Sequence, residues 1–134
     1  MGVIVVGYIP KPEGHAALAL SILEAQMRGS SLLVVHSQRG GREFTAGAAM
    51  DNESQLDSVR AQLDEAGVEY EIRQLVRGFD PAEDMIKVAE EVSAELIIIG
   101  LRRRSPVGKL ILGSNAQRIL LDAPCPVLAV KASE

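Results

Sequence analysis

The chain has 134 residues, of which 47% are hydrophobic and 24% are charged. This composition excludes an intrinsically disordered chain, which would have low hydrophobicity and high net charge. The length predicts a single domain spanning residues 1–134. With 14 basic and 18 acidic residues the formal charge is −4, which argues against nucleic acid as the main partner.

Cysteine and apolar content set further limits. Cys125 is the only cysteine, which excludes an internal disulfide or a multi-cysteine zinc site, and it is expected to be a small buried hydrophobic residue. No apolar run approaches the roughly 18–20 residues of a membrane span, and no signal peptide is recognisable. We therefore expect a cytoplasmic protein without a membrane partner. Because only 3% of residues are aromatic, the core must consist of Val, Ile, Leu and Ala.

The first third of the chain predicts strand, helix and strand. Val3–Val6 is a continuous apolar run, as in a central strand covered on both faces. A helix is predicted over Glu13–Arg28, closing at Gly29, and a second buried strand over Ser31–Ser37. The apolar positions at helical spacing in the first helix are Ala16, Leu20, Leu23 and Met27.

The middle of the chain predicts a loop, a helix and an edge strand. Residues 38–51 contain three glycines and no clear period, which predicts a mobile loop. Asn52 and Gln55 resemble a capping box at the start of a second helix that ends at Gly67. From Val68 apolar and charged residues alternate, which predicts a strand at a half-solvated sheet edge. The buried face of the second helix is predicted to be Leu56, Val59, Leu63 and Ala66.

The last third continues the alternation. Asp80-Pro81 starts a third helix that runs to about Ser93, and Leu96–Ile99 predicts a strand buried on both faces. A fourth helix is predicted from Gly113-Ser114 to Leu121, and a fifth strand over Val127–Val130. The whole pattern predicts an α/β fold with a doubly wound, mostly parallel, five-stranded sheet and helices on both faces.

A basic loop between the fourth strand and the fourth helix is the best candidate site. Such a sheet binds ligands beyond the carboxyl ends of its strands. A strand ending at Gly100 and a helix starting at Gly113-Ser114 place free N–H groups and a hydroxyl there, which suits a phosphate. The same loop contains four cationic side chains, which indicate either an anionic ligand or an ordinary solvated run of charges. They are Arg102, Arg103, Arg104 and Lys109, with no acidic residue between Gly100 and Ser114.

The stretch ELIIIGLRRRSPVGKLILGSNAQRILLDAPCPVLAV, at residues 95–130, resembles the C-terminal signature of the universal stress protein family. Gly100, Gly113 and Ser114 match the spacing of that family's nucleotide-binding motif, and the helix beginning at Asp80-Pro81 matches as well. The resemblance implies a Rossmann-like, adenine-nucleotide alpha-hydrolase-like fold. It also implies a bound adenine nucleotide, ATP or AMP, with magnesium only as its counter-ion, and a homodimer formed through Val127–Val130.

Two departures from the family pattern leave alternatives open. Arg103 stands where the motif has its second glycine, and its guanidinium either binds a phosphate or fills the site. The family's Asp after the first strand is absent, and Tyr8 there either packs against a base or covers an empty pocket. The candidate ligand-binding residues are Tyr8, Pro10, Val35, Gly100, Arg103, Gly113, Ser114 and Asn115.

The chain has two histidines, and neither is expected to be catalytic. His15 is expected to be a polar residue in the first helical turn, and His36 a hydrogen-bonded structural residue. No nucleophile, general base and orienting group occur together, so an enzyme ranks last. The first hypothesis is a non-enzymatic, nucleotide-responsive stress protein. The second is a dimeric interaction module of the same family that has lost nucleotide binding.

Overall fold

A computed structural model describes residues 2–9, 11–39, 46–77, 81–101 and 114–132, in which strands and helices alternate. No helix in these ranges is both long and apolar enough to cross a membrane. In chain order the elements are β1 (Val3–Tyr8), α1 (Pro12–Arg28), β2 (Ser31–Arg39), α2 (Ala46–Ala66), β3 (Tyr70–Arg77), α3 (Pro81–Glu91), β4 (Leu96–Leu101), α4 (Ser114–Asp122) and β5 (Val127–Lys131).

The sheet has five strands in the order β3-β2-β1-β4-β5, and every neighbouring pair is parallel. This confirms the predicted doubly wound fold, with β1 in the centre and β3 at an edge. In register, Ile4 of β1 lies between Leu32 of β2 and Leu96 of β4. Because the chain builds outward from β1 on one side and then returns to its other side, the strand order reverses between β1 and β4.

Two aliphatic clusters cover the two faces of the sheet. Ile4 and Val6 point to the first cluster, which contains residues of α1 and α2. Val5 points to the second cluster, which contains residues of α3 and α4. Leu96–Ile99 is buried on both faces, as predicted. The two clusters confirm the predicted helices on both faces and the aliphatic core. Full burial of each large aliphatic side chain contributes roughly 1.5–3 kcal/mol to stability.

The apolar stripe predicted for α1 is wrong. Leu23 and Met27 are 55% and 76% exposed, although they are large and apolar. The buried face of the helix instead consists mostly of small residues, and in its first turn a Cβ atom on Gly14 would overlap the backbone of Ile9. The buried residues of α1 are Glu13, Gly14, Ala17, Leu18, Ser21 and Ala25.

The predicted start of α2 is also wrong. The helix begins at Ala46, so residues 46–51 are helical and Asn52 lies inside the helix, where it cannot form the predicted capping box. Three alanines in the first turns favour helix, and Gly47 costs only about 1 kcal/mol relative to alanine. The buried positions Leu56, Val59 and Leu63 are confirmed, and residues 40–45 lie outside the described ranges.

Candidate functional site

A cavity of about 160 Å³ lies at the carboxyl edge of the sheet, between the ends of β1 and β4. We call it the carboxyl-edge cavity. It occupies the point where strand order reverses, which is where open α/β sheets bind their ligands. Its lining residues are mostly apolar and come from three helices and three strands. They are Gly7, Tyr8, Ile9, Glu13, Gly14, Val35, Ala82, Met85, Ile99, Gly100, Asn115, Ala116 and Ile119.

Two glycines bring the first turn of α1 against the strand ends. A Cβ atom on Gly100 would lie 1.9 Å from the carbonyl oxygen of Glu13, and one on Gly14 would lie 1.8 Å from that of Ile9. Both distances are far inside van der Waals contact with backbone atoms, which cannot move independently of the helix. Pro12 at the start of α1 fixes the helical φ there. Close backbone packing therefore builds the wall shared by β1, β4 and α1.

The cavity brings together four of the eight ligand-binding residues predicted from sequence. Tyr8, Val35, Gly100 and Asn115 all line it. Ser114 is the first residue of α4, directly before Asn115, so the amino end of that helix lies beside the cavity. The remaining predicted residues lie outside the described ranges, as do the other cations of the basic loop. These are Pro10, Arg103 and Gly113, with Arg102, Arg104 and Lys109.

The ring of Tyr8 lies in the core. The residue is only 2% exposed, and its side chain belongs to the cluster under α1 and α2, whereas Val35 and Ile99 at the cavity belong to the opposite cluster. Its ring centroid is 5.6 Å from that of His15, edge-on, and 6.0 Å from that of His36. Burial raises the pKa of the Tyr8 hydroxyl. The aromatic ring thus supports the sheet from the face opposite the lining aliphatic side chains.

The expected hydrogen bonding of His36 is not found at its Nδ1 atom. His36 lies beside Tyr8 in register on β2 and is 2% exposed. Within the parts of the chain that the structure covers, Nδ1 has no hydrogen-bond partner. Burial lowers the pKa of His36, because the charged imidazolium would lose its hydration. His15, by contrast, is exposed in the first turn of α1, as predicted.

The sequence patterns did not predict that Glu13 lines the carboxyl-edge cavity. This residue is 9% exposed, lines the carboxyl-edge cavity and lies in the first turn of α1. Its signal in the sequence was its place one residue before Gly14, at the junction between the loop after β1 and the helix α1.

Cys125 is half-buried rather than buried, and partial burial raises the pKa of its thiol. Among the residues described, no three His, Cys, Asp or Glu side chains are grouped to hold a metal ion.

The fold defines a Rossmann-like α/β protein, with a cavity at the point where the strand order reverses. Residues 1–131 match the profile of the Universal stress protein family. The chain is 47% identical over 128 residues to a universal stress protein of Mycolicibacterium smegmatis, with 96% of each chain covered. It therefore belongs to the universal stress protein family.

Two solved structures support the same assignment. The universal stress protein of Archaeoglobus fulgidus superposes with a TM-score of 0.81 at 35% identity, covering 98% of both chains. Another structure from Archaeoglobus fulgidus, a universal stress protein in complex with dAMP, gives a TM-score of 0.75 at 29% identity and covers 98% of both chains.

Proposed function

We propose that this protein is a cytoplasmic, non-enzymatic stress-response protein that binds ATP or AMP in the carboxyl-edge cavity as a regulatory ligand. The observation that supports this function best is an apolar cavity at the switch point with the amino end of α4 beside it. The complex of a family relative with dAMP supports an adenine nucleotide as the ligand class.

Different parts of the cavity suit the base and the phosphates of a nucleotide. Val35, Met85 and Ile99 offer an apolar surface on which the neutral base packs. The first N–H groups of α4, at Ser114 and Asn115, have no partner within the helix and lie where the helix dipole favours phosphate. We assign the phosphates also to Arg103 and Gly113, and place Pro10 beside the base, on the sequence pattern. Magnesium has the role of a phosphate counter-ion only.

Thermal unfolding tests the binding. ATP and AMP, with and without magnesium, are each expected to raise the Tm, because a ligand at about 100 times its Kd stabilises the folded state by about 2.7 kcal/mol. Gly113→Val is expected to abolish the rise. Gly67→Ala, at the opposite edge of the sheet, is expected to keep it. The absence of any Tm shift with every adenine nucleotide would refute the function, and ATP turnover in the same samples would contradict the non-enzymatic role.

A dimeric module without nucleotide is the second candidate. Two observations favour it: Arg103 stands where the family motif has a glycine, and the family's Asp is absent at the end of β1, where the ring of Tyr8 is buried in the core. Mass spectrometry of the small molecules released from freshly purified, denatured protein separates the two candidates. Stoichiometric adenine nucleotide supports the first. Its absence, together with no Tm shift, supports the second.

We also propose a homodimer through β5. This strand pairs with β4 on one side and ends the sheet, and the side chains of Val127–Val130 are half-buried. Pairing with a two-fold mate would satisfy its open backbone groups. Leu128→Lys is expected to give monomer in analytical sedimentation, whereas Leu121→Lys on α4, where the side chain is 83% exposed, is the matched control. An unchanged dimer in Leu128→Lys would exclude this interface.

A further inference from the structure

We infer that Glu13 selects the sugar of the bound nucleotide, with its carboxylate accepting hydrogen bonds from the 2′- and 3′-hydroxyl groups of ribose. The inference rests on the proposed function and adds a specificity to it. It concerns a residue of α1, which is not part of the motif formed by Gly100, Gly113 and Ser114. Its consequence is a preference for ribonucleotides that carry both hydroxyl groups free.

The backbone of Glu13 is held in place at the cavity wall. It follows Pro12 at the start of α1, and its carbonyl oxygen and Cβ would lie 1.9 Å and 3.0 Å from a Cβ atom built on Gly100. The next residue, Gly14, is packed against the backbone of Ile9. These contacts fix the side chain's point of attachment beside the end of β4. A carboxylate two bonds beyond that Cβ is within reach of a ligand lying along Gly100.

The carboxylate is the one formal charge in the described lining of this cavity. Tyr8 has its ring in the opposite cluster, and Asn115 is neutral and exposed. Glu13 is about nine-tenths buried, and across the described ranges its carboxylate makes neither a hydrogen bond nor an ion pair. Its oxygens are not among the described side-chain atoms that are shielded from solvent without a partner, so the carboxylate keeps water contact at the cavity, where hydroxyl donors from a ligand would replace that water.

Charge and shape select the ribose over the other parts of the nucleotide. A carboxylate repels phosphates, which suit the amino end of α4 instead. The base suits the aliphatic side chains of Val35 and Met85. The ribose joins these two parts, and its neighbouring hydroxyl groups present two donors to the two oxygens of one carboxylate. An acidic side chain fills the same role in dinucleotide-binding sheets, where it also disfavours a 2′-phosphate.

Isothermal titration calorimetry with AMP and 2′-deoxy-AMP tests the inference. The wild-type chain is expected to bind AMP about 10-fold more tightly, since a hydrogen bond to a charged acceptor is lost with the 2′-hydroxyl. Glu13→Gln is expected to reduce this ratio to less than about 3-fold, because the acceptor becomes neutral. Glu69→Gln, an exposed position at the amino edge, is the matched control and is expected to keep the wild-type ratio.

The outcomes separate this inference from the proposed function. Binding of AMP with no preference over 2′-deoxy-AMP, or the wild-type ratio persisting in Glu13→Gln, overturns the inference and leaves the nucleotide function intact. No binding of either nucleotide to wild-type protein refutes the function itself. Glu13→Ala provides a second variant if Glu13→Gln melts abnormally, and it is expected to bind both nucleotides equally. A retained preference in that variant also overturns the inference.

Discussion

The two edges of the sheet use glycine for different physical reasons. At the carboxyl edge, Gly14 and Gly100 lie so close to neighbouring backbone that a Cβ atom would fall within 2 Å of a carbonyl oxygen. At the amino edge, Gly29 and Gly67 end α1 and α2 with φ values of +66° and +72°, and a Cβ there would meet nothing within 4 Å. The first pair is required for space, and the second for backbone conformation.

The cavities at the two edges also differ in size and in their lining side chains. The amino edge has the larger cavity, of about 490 Å³, lined by the ends of α1 and α2 and the starts of three strands. Two of its polar side chains have partners within the protein: the Gln26 amide donates to the Ala66 carbonyl at 3.1 Å, and the Ser30 hydroxyl donates to Glu95. In the smaller carboxyl-edge cavity the Glu13 carboxylate has no such partner among the described residues, and the proposed ligand site rests on the place of this cavity at the switch point.

The largest expected effect comes from Gly100→Ala. The new Cβ would overlap the Glu13 carbonyl, so α1 must move away from β4 or the strand must distort. We expect a loss of about 3 kcal/mol in the free energy of unfolding, the size typical of an overpacked core. Urea denaturation measures it, and adenine-nucleotide affinity should fall in the same variant. A loss below about 1 kcal/mol would show that the close approach is not required.

The general architecture could be predicted from sequence because the hydrophobic pattern of most segments agrees with the secondary structure that they adopt. The run Val3–Val6 and the run Leu96–Ile99 are too apolar for an exposed strand; Ile4–Val6 and Leu96–Ile99 are fully or nearly fully buried, and Val3 is half-buried. The alternation after Val68 correctly predicted an edge strand, although β3 begins at Tyr70. These patterns depend on hydrophobicity and period alone, which the sequence displays directly.

Features decided by tertiary packing were not predictable. In α1 the stripe containing Leu23 and Met27 is the more hydrophobic face, but the sheet admits the face of small residues, and no local pattern reveals that preference. The burial of the Tyr8 ring on the α1 side of the sheet, and the place of Glu13 at the cavity, were not predicted for a related reason. Which side of β1 a side chain occupies, and which helix turn touches Gly100, depend on register and close packing.

Acidification is expected to have the next largest effect, through His36 next to Tyr8. Burial lowers the folded-state pKa of His36 below its usual 6.5, so the unfolded chain binds the proton more readily. Stability is therefore complete above that value and is lost as the pH falls below about 6.5, by at most about 1.4 kcal/mol per pH unit for one proton. Urea denaturation between pH 7.5 and 5.5 measures the slope. His36→Leu should remove it, and His15→Gln should not.

The smallest expected effect comes from Gly67→Ala at the amino edge. Space is available for the methyl group, so the cost is that of holding alanine at φ +72°, about 1 kcal/mol, partly offset by the lower entropy of the unfolded chain. Urea denaturation should show this modest loss, and nucleotide affinity should be unchanged, because the substitution lies at the far edge of the sheet. A loss as large as that of Gly100→Ala would mean that the two edges do not differ in the way their glycines are used.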